Sequence, residues 1–221
     1  MIHQLIEPVS TYATSIDNLY LLIAAIVMPW FFLVEGMLFW LLWRFRYQEG
    51  VPAQYITGNE PHLKRWITWP HALIILLDIF VIAGAINVWY TIKQDLPESN
   101  NTIRIVGQQW AWSFVHPGPD GKLDTEDDIE TADLLHVKVD EVYHFQLESR
   151  DVLHSFSVPV FRLKQDAIPG RRITGWFEAT KTGEYDIQCA EMCGIGHGIM
   201  AARIRIETPE QHEAWMASAQ Q

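Results

Sequence analysis

The sequence predicts a two-helix transmembrane hairpin followed by an all-β sandwich or barrel, and three observations carry that prediction. Two long apolar runs, Leu19 to Trp43 and His71 to Ile92, fall within the first 95 of 221 residues. After them the pattern changes to short alternating or β-branched runs separated by Gly and Pro. The charge changes as well: residues 93–221 hold 21 of the 27 acids but only 12 of the 16 Lys and Arg.

The runs contain 25 and 22 residues, and a helix needs roughly 20 apolar residues to cross a bilayer core. Trp30, Trp40, Trp43, Trp66, Trp69, Trp89 and Tyr90 lie in or beside them, several where interfacial aromatic belts form. A buried hairpin of a soluble protein would need a surrounding core too large for this chain. No Lys or Arg precedes the first run, whereas the connection holds Arg44, Arg46, Lys64 and Arg65. That bias places the connection in the cytoplasm and both termini outside. Pro29 and Glu35 interrupt the first run, so it is expected to remain as an anchor and not to be cleaved as a signal peptide.

In the exported part, strands are expected at 102–106, 134–139, 142–148, 153–160, 172–179, 184–189 and 200–207. Turns at 116–119, 169–170 and 181–183 separate them. Short strands at such spacing read as a sandwich or barrel. The tail from Pro209 reads as a short amphipathic helix. Between strands, PGPDGKLDTEDDIE (117–130) packs five acids between Asp124 and Glu130. It reads as a solvated loop, with a docking patch for a basic partner or a calcium loop as the sharper alternatives. The acidity repels nucleic acid and favours basic partners.

QCAEMCGIGHGIM (188–200) holds both cysteines of the chain, Cys189 and Cys193, with Glu191, His197 and Met200. An exported thiol pair is ordinarily a disulfide, which accounts for the cysteines alone. Thiolate, thioether and imidazole together suit copper. One blue-copper ion needs a single Cys, so two thiolates could instead bridge two ions. A second histidine must come from upstream. His154, 35 residues before Cys189, is the best placed, with His116, His136, His144 and His212 as rivals by residue type.

These residues resemble subunit II of the haem–copper cytochrome c oxidases. Cys189, Glu191, Cys193, His197 and Met200 stand in the C-x-E-x-C-x3-H-x2-M register of its binuclear copper centre, CuA. DVLHSFSVPVFRLKQDAIPGR (151–171) and GQQWAW (107–112) are similar to two further family blocks. The resemblance implies a cupredoxin-like Greek-key sandwich at residues 96–221 with a short C-terminal helix. Residues 1–95 would form the N-terminal segment and hairpin, with helices at about 19–43 and 70–92. It implies two copper ions bridged by Cys189 and Cys193, one held by His154 and one by His197. Met200 would be a weak axial donor, and Glu191 would supply its backbone carbonyl. The Glu191 side chain would reach a magnesium or manganese ion shared with subunit I. Trp110 would receive electrons from cytochrome c or a c-type cytochrome domain, for delivery to haem in subunit I. There oxygen is reduced to water and protons are pumped. Further oxidase subunits, membrane lipid and a bacterial inner membrane complete the expectation.

The chain departs from the family in three places. Ala111 replaces the middle aromatic of W-Y-W, Arg150 stands where an acid is usual, and Lys64 stands where a Glu marks a proton-channel mouth. Glu35 and Asp78 lie inside the apolar runs at a cost of roughly 2.5–3.5 kcal/mol on insertion scales, so each is expected to face subunit I or to be protonated. A quinol oxidase subunit II, a nitrous oxide reductase and a copper-delivery or disulfide-stapled module are the rival readings. The intact ligand set argues against the first, and the hairpin against the second.

Overall fold

The computed structural model describes residues 6–53 and 55–219; residues 1–5 and 220–221 at the ends of the predicted ranges lie outside them. The chain divides into two compact units. Residues 18–88 form one, and the segment up to Asp17 joins Trp89 onward in the other.

The helices α1 (Ala13–Arg44) and α2 (Pro61–Trp89) are longer than the apolar runs. Hydropathy marks only the part that suits lipid, whereas the helical hydrogen bonds continue into the polar flanks. Proline's fixed φ suits the first helical position, where Pro61 stands. Just before it, the Glu60 carboxylate accepts the N–H groups of Thr57 and Gly58 at 3.1 and 3.0 Å. A single π-helical turn, Tyr90–Gln94, follows α2. The two helices come close at Gly84, where a Cβ would lie 3.3 Å from Leu19 Cδ1 and 3.4 Å from Leu22 Cδ2. Both helices are long and apolar enough to cross a membrane, and none of their most apolar stretches is buried within the chain. Such a surface fits lipid or a neighbouring subunit and not water.

Ten strands among the described residues build the second unit: β1 (Asn101–Gln108), β2 (Ala111–His116), β3 (Ile129–Ala132), β4 (Leu134–Lys138), β5 (Val142–Ser149), β6 (His154–Val158), β7 (Leu163–Ala167), β8 (Ile173–Glu178), β9 (Gly183–Cys189) and β10 (Ala201–Glu207). They form two five-stranded sheets, in the orders β3-β2-β1-β5-β8 and β4-β10-β9-β6-β7. β1 runs parallel to β5 and β10 parallel to β4, while the other pairs are antiparallel. Strands distant in sequence therefore lie side by side, as in a Greek-key sandwich and not a meander. Seven strands fall where the sequence places them. β2, β3 and β7 are additional, and β3 and β7 are short edge strands whose polar sequences, IETA and LKQDA, carry little alternation.

Alternation does show which faces meet. Tyr143, Phe145 and Leu147 of β5 and Trp112 and Phe114 of β2 point inward. Phe156 of β6 touches Trp112, Phe114 and Phe145 edge-on or tilted, at ring centroids of 5.6, 6.4 and 6.2 Å. Each such ring contributes roughly 1.5–3 kcal/mol by leaving water. The tail forms α3 (Pro209–Ala219).

The segment before the membrane helix belongs to this sandwich. Val9 donates to the Val160 carbonyl and accepts from Thr180 N–H, both at 2.9 Å, and Thr11 N–H reaches the Glu178 carbonyl at 3.2 Å. Val9 and Tyr12 are buried in the core. At the start of α1, Asp17 receives a two-pronged ion pair from Arg162, at 2.7 and 3.0 Å.

Candidate metal centre

Four segments converge at one end of the sandwich: the loop after β9, the start of β6, the turn before it, and the tip between β1 and β2. Cys189 ends β9 and Cys193 lies in the following loop; both thiols are free and buried. Their sulfurs are 3.8 Å apart, well beyond the ~2.05 Å of a disulfide. His154 opens β6 and is completely buried. One ligand atom from each of His154, Cys189 and Cys193 lies within 4.8 Å of the others.

The remaining candidates surround that cluster. His197 Nδ1 and Met200 Sδ each lie 3.7 Å from Cys193 Sγ. The Cys189 thiol points at the Glu191 carbonyl at 3.3 Å, so the backbone oxygen of Glu191 faces the sulfurs. Met200 is buried and His197 half-buried. The six metal-site residues expected from the sequence are thus brought together. His116, His136, His144 and His212 are not in the cluster. His144 bonds the Pro97 carbonyl at 2.8 Å, while His136 and His212 both bond Glu207.

The electrostatics separate the two nitrogens of His154. Nε2 donates to Asp151 Oδ1 at 2.8 Å, whereas Nδ1 is buried without a hydrogen-bond partner. A buried polar atom left without a partner is costly, and here it is aimed into a nest of soft donors. Asp151 lies below the usual carboxylate range: burial raises it, but the hydrogen bonds from His154, Gln109 and Val152 outweigh that effect. Burial, then the adjoining Cys189, pushes the Cys193 thiol up to about 11. Loading a metal would therefore release the proton of Cys193.

Trp110 sits at the β1–β2 tip, partly exposed at 37 %, and its Nε1 donates to the Cys193 carbonyl at 3.2 Å. Gln109 Nε2 donates to the same oxygen at 2.9 Å. Around them Met192, Ile195 and Ile199 are strongly exposed, forming an apolar rim on the cysteine loop. Asp151 and Gln109 are the site residues that sequence reasoning missed. In the 117–130 loop, Asp124 pairs with Arg104 through two bonds of 2.8 and 2.7 Å. Asp120 and Asp128 accept backbone N–H groups within the loop.

Residues 101–207 match the family model described as cytochrome c oxidase subunit II, periplasmic domain. Over 198 residues the chain is 32 % identical to the alternative cytochrome c oxidase subunit 2 of Bradyrhizobium diazoefficiens, covering 79 % of this chain and 69 % of that protein. The chain belongs to the cytochrome c oxidase subunit II family. Cytochrome c oxidase subunit 2 of Cereibacter sphaeroides is a further relative, 28 % identical over 96 % of this chain and 78 % of its own. The crystal structure of the periplasmic domain of subunit II of cytochrome oxidase from Bradyrhizobium japonicum aligns with a TM-score of 0.51 at 33 % identity, over 57 % of this chain and 96 % of that one. Membership makes this chain a subunit of an oxidoreductase complex, with subunit I as its partner, and implies a binuclear copper centre. The residues present fit one: two free thiols, an unpartnered buried imidazole nitrogen, a second imidazole, a thioether and a carbonyl form a soft donor set.

Proposed function

We propose that this chain is the electron-entry subunit of a terminal cytochrome c oxidase. When bound, a copper pair supplies a one-electron couple. The protein supplies the frame for it. Cys189 and Cys193 would bridge the ions, His154 Nδ1 and His197 Nδ1 would each hold one, and Met200 Sδ and the Glu191 carbonyl would be weak outer donors. Cys189 ends β9, Cys193 follows in the loop after it and His154 opens the neighbouring strand β6, so the sandwich holds their spacing whichever way the charge changes. Burial of His154, Cys189, Cys193 and Met200 excludes water and limits rearrangement on electron transfer.

Trp110 would be the entry point, since its partly exposed ring is joined to the Cys193 backbone by one hydrogen bond. The apolar rim of Met192, Ile195 and Ile199 suits the contact surface of cytochrome c or a c-type cytochrome domain, with acidic surroundings to steer a basic donor. Haem in subunit I would receive the electron, for reduction of oxygen to water coupled to proton pumping. The Glu191 side chain would meet magnesium or manganese at the subunit I boundary. Glu35 and Asp78 would face subunit I, and further oxidase subunits and lipid would cover the rest of the hairpin.

The proposed setting is a bacterial inner membrane with the connection between the helices inside. Packing of residues 6–17 on the sandwich supports that orientation, because it keeps the N-terminal side of α1 with the copper domain. The exported part would then be residues 96–221 together with this strap, and the hairpin would complete the division of the chain.

The observation that carries the reading is the convergence of His154 with two free thiols within 4.8 Å. An EPR spectrum of the copper-loaded full chain tests it. One unpaired electron shared equally by two copper nuclei is the expected result. A mononuclear signal, or a Cys189–Cys193 disulfide that takes no copper, would overturn it.

A further inference from the structure

We infer that Asp151 is a positioning residue that ties the His154 ligand to the Gln109–Trp110 tip, so that one carboxylate sets both a copper ligand and the entry side chain. The inference rests on the copper-relay reading above. Its geometry is a closed ring. Asp151 Oδ1 accepts from His154 Nε2 at 2.8 Å, and Oδ2 accepts from the Gln109 backbone N–H at 2.7 Å. Gln109 then reaches across to the Cys193 carbonyl through Nε2, and Trp110 Nε1 donates to that same oxygen. Cys193 Sγ and His154 close the ring inside the ligand cluster.

Each link has a separate consequence. A carboxylate can only accept, so it keeps the proton of His154 on Nε2 and leaves the Nδ1 lone pair free for metal. The ring is also confined on its face: a Cβ on Gly107 would come within 3.2 Å of His154 Cδ2 and Cγ. The second carboxylate oxygen fixes the backbone of the tip, and therefore where the Trp110 indole lies over the cysteine loop. A third bond, from Val152 N–H to Oδ1 at 2.6 Å, stiffens the carboxylate itself.

An amide cannot reproduce this. In Asp151→Asn one oxygen remains for three donors on two sides, so either His154 and Val152 or Gln109 meet an NH2 group. The test uses the full chain in its assembled oxidase, with Glu7→Gln, a carboxylate loss at an exposed pair with Lys181, as the charge control. Asp151→Asn is expected to lower copper affinity against a competing chelator by about 10–100-fold, the range for groups that orient a metal ligand. It is also expected to change the copper EPR hyperfine pattern and, at full copper occupancy, to slow electron entry from a reduced soluble c-type cytochrome by about tenfold or more. Asp151→Glu, which keeps two acceptor oxygens, should recover part of each loss, and Glu7→Gln should change none. Unaltered affinity, spectrum and entry rate in Asp151→Asn would overturn the inference.

Should the Asn variant fail to fold, the wild-type chain decides. With nitrogen-labelled histidine, the Nε2–H of buried His154 should persist in D2O far longer than a ring N–H of half-buried His197. Equally fast loss would overturn the link. Absence of a two-copper signal in the wild type would count against the relay reading alone, because the exchange measurement on the metal-free chain still tests Asp151 and His154.

Discussion

The indole of Trp110 lies directly against Gly196: a Cβ added there would come within 2.4 Å of Trp110 Cδ2 and 2.5 Å of Cγ. The glycine is thus a seat for the ring, and the cysteine loop and the β1–β2 tip fit only while it stays empty of side chain. Gly196→Ala is expected to push the indole off the loop and lengthen its bond to the Cys193 carbonyl. Electron entry from a reduced donor should slow in Gly196→Ala and more so in Trp110→Ala, with the copper EPR signal retained in both. Stopped-flow reduction checks this, and an entry rate unchanged in Trp110→Ala would remove Trp110 from the path.

The strap formed by residues 6–17 depends on a buried charge pair. Asp17 is fully buried and Arg162 nearly so, at 0 % and 10 % side-chain exposure. Asp17→Ala would leave the Arg162 guanidinium with the Pro159 and Ile6 carbonyls but without its counter-charge, and breaking such a pair costs about 3–5 kcal/mol. Thermal unfolding of the sandwich should move to lower temperature, and limited proteolysis should cut near residues 6–17 first. A loss below about 1 kcal/mol, the scale of exposed pairs, would show that the strap is held by the burial of Val9 and Tyr12 and by its hydrogen bonds to the sandwich, without need of the ion pair.

How much of this was legible in the sequence follows from the range of each interaction. Cys189, Glu191, Cys193, His197 and Met200 lie within twelve residues, so ligand chemistry exposes the thiols, imidazole and thioether, while Glu191, which would act through its backbone carbonyl, is marked only by the family register. The helices are legible because lipid demands an unbroken apolar run. Asp151 and Gln109 are hidden, because Gln109 meets Asp151 across 42 positions and Cys193 across 84. The strap is hidden for the same reason: Ser10 bonds the Phe161 carbonyl across 151 positions. Residues 6–17 carry neither strand alternation nor a run of apolar residues, and their partners exist only once the sandwich has formed.

A pH dependence follows from the second histidine group. His136 and His212 donate from Nδ1 to the two oxygens of Glu207 at 2.9 and 3.0 Å. Trp215 of α3 stacks on His136 at 4.1 Å and meets His116 edge-on at 4.9 Å. Burial, then the charges of His136 and His212, lowers His116 to about 3. Burial likewise lowers His136 and His212, against the raising effect of Glu207, with Arg205 acting with burial on His136 and Lys138 on His212, and Glu184 opposing it at His136. Burial thus disfavours the charged form of all three when α3 is docked, and release would move each back toward its ordinary value. The undocked state binds more protons, so docking is strongest above about pH 6.5 and weakens as pH falls below it, by up to about 1.4 kcal/mol per pH unit from His116, with His136 and His212 acting in the same direction. Hydrogen exchange in Pro209–Ala219 should accelerate between pH 7 and 5 and flatten in His116→Phe. Exchange that follows only its intrinsic pH trend would refute this.

Met200 offers the cleanest separation of ligand from packing. Its side chain is 2 % exposed, and Sδ lies 3.7 Å from Cys193 Sγ, so it is both core and candidate axial donor. Met200→Leu nearly conserves volume and should cost less than about 1.5 kcal/mol of stability. The thioether, however, is removed. If Met200 is a weak donor, the variant still takes up two coppers, because the thiols and imidazoles remain, but its optical and EPR spectra shift and its reduction potential moves. If Met200 serves only to fill the core, the spectra match the wild type while unfolding shifts slightly. Measuring spectrum and unfolding on the same copper-loaded sample distinguishes the two, and identical spectra would exclude Met200 from the donor set.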